Sequence, residues 1–256
     1  MHRVLTADKS RPHHDGFRHH NQGPMTIRTG IILLTTLFPV IATFGQTPDA
    51  EDDIVDIQIN SAEELAARGQ AEKLNNDGFA LLEAEQYAAA EPYFRRALAV
   101  DSSNQAYYEN LARALGGQQR PDAVAAVYAR AQRQFPDDAD LYYYRGDALQ
   151  KLERYEEARQ EYDQAIAVSR QHPGTQLEHL YYFNRGNTYL KERNYAAARK
   201  DYDEALRLNA YHHASYANRG FARYNLKDRP GACADWQQAK EAGYSAAQQY
   251  ISKYCQ

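Results

Sequence analysis

The sequence predicts an all-α protein: a right-handed superhelical solenoid of about five helix–turn–helix units, closed by a C-terminal capping helix. Two observations support this fold class. Small residues recur at intervals of 34 along the chain, which is a period typical of stacked helical pairs. Ala and Tyr dominate the apolar residues, with 21 Tyr against one Trp and two Met, whereas a sheet-rich core would favour Val and Ile.

The first element along the chain is an export signal. Ile31 to Phe44 is the only strongly apolar run, and it is shorter than the ~20 apolar residues that a membrane-spanning helix needs. Arg28 precedes the run, and the small residues Thr43 and Gly45 follow the pattern of a cleavage site. Residues 25–45 therefore predict a secretory signal peptide, cleaved before Gln46 and delivering the chain to the periplasm. The alternative is an uncleaved membrane anchor.

Residues 1–24 precede a second methionine, Met25, and contain five of the nine histidines. Because a signal peptide has a short charged start, and residues 25–28 provide one, we interpret residues 1–24 as a non-native or misassigned extension. The alternative, a His-rich metal site, lacks a fold that would organise it.

Residues 46–60 carry five acidic side chains and show no apolar periodicity, so they predict a flexible acidic linker. Ser61 and Glu64 then have the spacing of a capping box, in which a hydroxyl and a carboxylate satisfy free amides at a helix start. We therefore expect the first helix to begin at Ser61 and to open a repeat domain over residues 61–256.

Three positions of the 34-residue unit recur five times. The eighth position holds a small residue: Gly78, Ala112, Gly146, Gly186 and Gly220. The twentieth position holds Ala90, Val124, Ala158, Ala198 and Ala232. The twenty-fourth position holds an aromatic residue: Phe94, Tyr128, Tyr162, Tyr202 and Trp236. This pattern resembles the tetratricopeptide repeat family over five successive units.

The spacing has a physical explanation. The first helix of each unit needs a small residue where the second helix crosses it, and each pair leaves an apolar face that only the next unit can bury. Arg145, Arg185 and Arg219 each precede a repeat glycine, and we interpret them as structural links between neighbouring turns rather than as an anion site. Six additional residues separate the third and fourth units around Pro173 and Gly174, where they lengthen a helix or the loop.

The C-terminal segment predicts a capping helix. Gly243 suits the left-handed position that ends a helix, Ser245 is a candidate N-cap, and an apolar stripe follows. Cys233 and Cys255 lie eleven residues before and after Tyr244, so an antiparallel hairpin would place them opposite each other. In an oxidising compartment they predict a disulfide, and the alternative is two inert thiols.

No motif in the sequence indicates an enzyme. It contains no phosphate-binding loop, nucleophile elbow or metal-ligand spacing, so we expect no catalytic residue, cofactor or metal. The 34 acidic and 30 basic residues give a formal charge of −4, which does not favour a nucleic-acid partner. We expect no small-molecule substrate, and contact with the membrane only through the transient signal peptide.

The family resemblance implies that the first helices line a concave groove. The groove residues carried over are Phe79, Tyr143, Asp147, Phe183, Asn187, Phe221 and Tyr224. These residues predict a non-catalytic scaffold that binds a peptide or partner helix, with the aromatic side chains as anchors. One alternative is that Phe183 and Phe221 only pack between units. Another is a structural subunit that binds through its convex face or its ends.

Overall fold

The computed structural model describes the backbone of residues 50–255 and the side chains of residues 62–255. Over this range the chain forms eleven α-helices and no strand. Their bounds are α1 Ala50–Glu83, α2 Tyr87–Val100, α3 Gln105–Gly117, α4 Pro121–Gln134, α5 Ala139–Lys151, α6 Tyr155–Gln171, α7 Glu178–Lys191, α8 Tyr195–Leu208, α9 His213–Asn225, α10 Arg229–Glu241 and α11 Ala247–Tyr254. The predicted signal peptide and the extension before it lie outside the described residues.

The helices pack in consecutive pairs, which confirms the predicted all-α repeat fold. Each helix from α2 to α10 contacts the next one along the chain, and α7 also contacts α5 and α9. The first helices of successive units are therefore neighbours, and together they form one continuous surface. We call the surface of α3, α5, α7, α9 and the described part of α1 the inner face.

The small residue at the eighth position lies directly under the aromatic residue of the second helix. A Cβ atom added to Gly146 would lie 2.6 Å from the ring of Tyr162, and one added to Gly220 would lie 2.7 Å from Nε1 of Trp236. Both distances are shorter than side-chain packing tolerates. The close approach of the two helices therefore explains why a large residue is absent from this position.

The repeated arginines connect neighbouring helices, as the sequence predicts. Arg185 forms two hydrogen bonds with Asp201 on the second helix of its own unit, at 2.9 and 2.6 Å. Its remaining nitrogen donates to Asp163 of the preceding unit at 2.6 Å. Arg145 makes a single hydrogen bond with Glu161 of its own unit, at 2.7 Å, and one with Gln132 of the preceding unit, at 3.1 Å. These side chains are partnered inside the fold, so they act as structural ties.

Two predicted helix starts are wrong. Helix α1 begins at Ala50, so residues 50–60 of the predicted linker are helical and Ser61 lies within the helix rather than at its start. At the other end, α11 begins at Ala247 after Ala246, and no side chain caps it, so Ser245 is not its N-cap. A capping motif marks a position where a helix can begin, but it does not start one where the chain is already helical on both sides.

The additional residues between the third and fourth units lengthen both a helix and a loop. Helix α6 has 17 residues where α4 and α8 have 14. The loop that follows is fixed to the third unit, because Thr175 Oγ1 donates to Asp140 at 2.8 Å and Tyr181 also donates to that carboxylate. The inserted loop therefore packs against the N-terminal end of α5.

Helix α11 covers the last repeat. Gly243 adopts a φ of 100°, and the amide of Tyr244 donates to the carbonyl of Ala239 at 2.8 Å, which ends α10 in a left-handed turn. Tyr250 stacks on Trp236 at a ring distance of 5.5 Å. A disulfide joins Cys233 to Cys255, whose Cα atoms are 5.7 Å apart, so the end of α11 is bonded covalently to α10.

Candidate functional site

The structure divides the predicted groove residues into covered and accessible groups. Phe183 is 8% exposed, and its ring contacts His212 at 4.7 Å and Tyr202 at 6.0 Å. It is therefore a core residue between the fourth and fifth units, not an exposed anchor. Phe221 is only partly buried, with its ring 6.5 Å from that of Tyr195.

Tyr224 lies beneath the C-terminal cap. Its ring is 4.6 Å from that of Tyr254 and 6.0 Å from that of Trp236. Since α11 supplies Tyr254, the cap contributes the contacts that the sequence analysis assigned to a partner. Tyr224 therefore helps to close the end of the stack.

Asn187 is committed to hydrogen bonds within the chain. Its Oδ1 accepts from Tyr202 at 2.9 Å and from Asn218 at 2.8 Å, while its Nδ2 donates to Asn184 at 3.1 Å. A partner's backbone would have to break these bonds in order to use this side chain. Asn187 therefore links the fourth and fifth units instead of presenting a free amide.

A series of amide hydrogen bonds crosses the unit boundaries, and the repeat pattern did not predict it. Asn110 donates to Asn75 at 3.0 Å, and Asn184 donates to the hydroxyl of Tyr143 at 3.4 Å. Together with the bond from Asn218 to Asn187, these contacts connect successive first helices. The sequence signal is an Asn at the sixth position of the first, second, fourth and fifth units, although in the first unit its neighbour Asn75 makes the bond.

The second and third units keep functional side chains accessible on the inner face. Tyr144 stacks on Tyr128 with ring centroids 5.4 Å apart, and Tyr143 lies 5.1 Å from Tyr144. Asp147 forms an ion pair with Lys151 at 2.7 Å, and both side chains are partly exposed. The guanidinium of Arg113, in the second unit, lies 5.6 Å from the centre of the Phe79 ring of the first unit.

Carboxylates surround this group of tyrosines. Burial raises the pKa of Glu109, and the charges of Asp138 and Asp140 add to the effect. Burial also raises the pKa of Asp140. Burial also raises the pKa of the Tyr144 hydroxyl, and the charges of Asp140 and Glu109 add to the effect. A positive charge placed here would relieve this repulsion.

An open cleft of about 500 Å³ adjoins the carboxylates at the edge of the array. It is lined by the loop before α5, by Gln105 of α3, and by His172 and Thr175 of the inserted loop. Gln105 donates to both Glu109 and Asp138, at 2.9 and 2.7 Å. The cleft is therefore polar and acidic, and it extends the inner face toward the insertion.

Within residues 62–255, no group of three or more His, Cys, Asp or Glu side chains is arranged to hold a metal ion. Among the described helices, none combines the length and apolar character required to cross a bilayer.

Family comparisons agree with the repeat pattern. Two models described as tetratricopeptide repeat match the chain, one over residues 78–123 and the other over residues 137–210. Together these segments include most of the first four units. No curated protein sequence matches the chain.

Solved structures of low sequence identity share the fold. MamA aligns with a TM-score of 0.61 at 16% identity, covering 70% of this chain and 94% of that one. YrrB, described as a TPR protein with an unusual peptide-binding site, aligns at 0.58 and 18% identity over 77% of this chain and 97% of its own. PilW, a type IV pilus biogenesis factor, aligns at 0.57 and 16% identity over 67% and 77%. The repeat pattern, the paired helices and the two family models agree: residues 78–123 and 137–210 are tetratricopeptide repeats.

Proposed function

We propose that this protein is a non-catalytic scaffold that binds an extended segment of a partner protein along the inner face of its second and third units. The observation that carries the proposal is the uneven accessibility of that face. In the fourth and fifth units, Phe183, Asn187 and Tyr224 are occupied by contacts within the chain. In the second and third units, Arg113 is exposed, and the partly buried Tyr144 and Asp147 lie beside it on the same face without the cover of another unit's core or of α11.

The arrangement suits recognition of an unfolded segment. Accessible aromatic rings offer flat apolar contacts at low entropic cost, and neighbouring charges select the partner. Among the solved structures that share the fold, the YrrB description names a peptide-binding site, which supports the same use of the surface here.

The proposed location is the periplasm. The apolar run over Ile31 to Phe44 supports export, and the Cys233–Cys255 disulfide suits an oxidising compartment. N-terminal sequencing of the protein recovered from a periplasmic fraction tests this. A chain that begins at Gln46 supports the proposal, whereas an intact chain recovered from the cytoplasm contradicts it.

Site-specific photo-crosslinking in cells tests the surface. A benzoylphenylalanine in place of Arg113, whose side chain is 47% exposed, should form an adduct with one specific partner. The matched control carries the same group in place of Arg199, an exposed residue of α8. Adducts from position 113 alone support the inner face. Adducts from position 199 alone would instead favour a structural subunit that binds through its convex face.

A further inference from the structure

The hydroxyl of Tyr128 differs from its counterparts in the repeat. In the third unit, Tyr162 donates to Gln150 at 3.3 Å, and in the fourth unit Tyr202 donates to Asn187 at 2.9 Å. The residue of the second unit that corresponds to Gln150 is Gly116, which has no side chain. Tyr128 is 7% exposed, and its hydroxyl forms no hydrogen bond with the described residues.

A hydroxyl can both donate and accept a hydrogen bond, so the surroundings of this one indicate which group it is able to bind. The ring of Tyr128 is stacked on that of Tyr144, with 21° between the planes. Burial raises the pKa of Tyr128 well above its ordinary value, and Tyr144, Glu109 and Asp147 add to the effect. The hydroxyl therefore faces the tyrosines and carboxylates of the inner face.

Around Tyr128 and Tyr144, the carboxylates outnumber the basic side chains that could neutralise them. The two nearby cations are engaged, since Lys151 pairs with Asp147 at 2.7 Å and Arg113 pairs with Glu83 at 3.1 Å. Among the described residues, Glu109 and Asp140 form no ion pair, although the charge of Arg113 acts on Glu109. Uncharged donors hold them instead: Gln105 donates to Glu109 at 2.9 Å, and Thr175 donates to Asp140 at 2.8 Å.

Asp140, Tyr143, Tyr144 and Asp147 follow each other at helical spacing on one face of α5. Together with Glu109 and Tyr128 they form a group that we call the tyrosine–carboxylate cup. We propose that the cup binds a basic side chain, lysine or arginine, of the partner segment. The inference rests on the proposed function, because it specifies what the inner face recognises. Aromatic faces attract a cation, the carboxylates neutralise it, and its N–H groups donate to the free oxygen of Tyr128.

Other ligand classes fit the cup less well. An anionic peptide would be repelled by Glu109 and Asp140, and an apolar side chain would leave the charges of these carboxylates without a counter-ion and the Tyr128 hydroxyl without a partner. A basic side chain neutralises the carboxylates and also donates a hydrogen bond to the Tyr128 hydroxyl.

Fluorescence anisotropy with the full chain tests the proposal. The probe is a fluorescein-labelled peptide of alternating lysine and serine, titrated at low ionic strength, and its counterpart replaces lysine by glutamate. We expect the lysine probe to bind and the glutamate probe not to bind. Equal binding of the two probes would overturn the proposal.

Paired charge variants locate the binding to the cup. The double variant Glu109→Gln and Asp140→Asn keeps the hydrogen bonds from Gln105 and Thr175 but removes both charges. We expect it to bind the lysine probe about tenfold more weakly, since an exposed ion pair contributes a factor of about two to five. The control, Asp77→Asn with Asp122→Asn, makes the same change in net charge at exposed residues elsewhere. If both variants weaken binding equally, the effect is general electrostatics and the cup is not the site.

The variant Tyr128→Phe separates a binding role of the hydroxyl from a structural one. Because the hydroxyl has no partner in the described fold, its removal should leave thermal stability unchanged or slightly higher, while the lysine probe binds about threefold more weakly. A loss of stability would show that the hydroxyl is already bonded. If cross-links from position 113 persist but the lysine probe does not bind, the cation inference fails while the proposed function stands. If those cross-links are absent, the proposed function itself fails.

Discussion

Arg219 and Asp235 form a two-pronged ion pair between the two helices of the last unit. Nε of Arg219 donates to Oδ2 at 2.9 Å, and Nη2 donates to Oδ1 at 2.7 Å. Asp235 is only 2% exposed. The remaining nitrogen of the guanidinium donates to Asp203 of the preceding unit at 2.7 Å. One arginine therefore ties α8, α9 and α10 together.

Removing one member of this pair should destabilise the array strongly. In Arg219→Ala, the buried Asp235 would lose two charge-assisted hydrogen bonds but keep its ion pair with Arg223 at 3.1 Å, so we expect a loss of about 2–3 kcal/mol. We expect a lower denaturation midpoint in urea, followed by circular dichroism. The matched control is Arg207→Ala, which removes an arginine whose side chain is 64% exposed and which pairs with Glu204. The control should lose less than about 1 kcal/mol. Equal losses would contradict a structural role specific to Arg219.

The repeat could be predicted from the sequence because its strongest constraint lies within one unit. A small residue at Gly146 and a ring at Tyr162 must face each other whenever two helices cross that closely, so both recur with the period. The inner face could be predicted only in part. The burial of Phe183 and the cover over Tyr224 depend on how neighbouring units and α11 stack. The Tyr128 hydroxyl lacks a partner because Gly116 has no side chain where the third unit has Gln150. The repeat pattern does not indicate this difference.

A second prediction concerns the turn inside each unit, where a residue other than glycine adopts a left-handed conformation. Lys227 has a φ of 68°, and Glu153 has a φ of 59° at the corresponding position. This conformation costs an L-residue about 1 kcal/mol, and glycine avoids most of that cost. Lys227→Gly should therefore stabilise the protein by about 0.5–1 kcal/mol in urea denaturation.

The same substitution at a helical position serves as the control for the turn. Lys200 is exposed within α8, so Lys200→Gly should destabilise the protein by about 1 kcal/mol. Opposite signs for the two substitutions are expected. A loss of stability in both variants would show that the turn stores no strain of this kind.

A third prediction concerns acid. Burial lowers the pKa of His212 from its ordinary value to about 4, and His179 and His213 add to the effect. A folded-state pKa below the unfolded value means that the unfolded chain binds the proton more readily. The contribution of His212 is therefore fully present above a pH of about 6.5 and is lost as the pH falls toward about 4.

Urea denaturation across this pH range measures the contribution of His212. Between these limits the wild type should lose on the order of 2 kcal/mol more than His212→Gln, which has no titrating ring. His172→Gln is the control, because the His172 side chain is 53% exposed. Its pH profile should parallel that of the wild type. Parallel profiles for all three proteins would contradict the prediction.

The last prediction concerns the disulfide between Cys233 and Cys255. It closes a segment with a sequence separation of 22, which should contribute about 3 kcal/mol by the chain-entropy model. Its removal should also loosen α11 from Trp236, the only tryptophan in the chain, which is 1% exposed. The double variant Cys233→Ser and Cys255→Ser should therefore unfold at lower urea concentration, and its tryptophan emission should shift to longer wavelength as water reaches the ring.

Thiol labelling provides the direct check on the bond. The native protein should resist labelling until it is reduced, and reduction should then reproduce the emission shift of the double variant. Because the cap also packs through Tyr250 and Tyr254, the shift should be partial, with the remaining helices intact by circular dichroism. Labelling of both cysteines without reduction, or unchanged stability after reduction, would show that packing alone holds the cap in place.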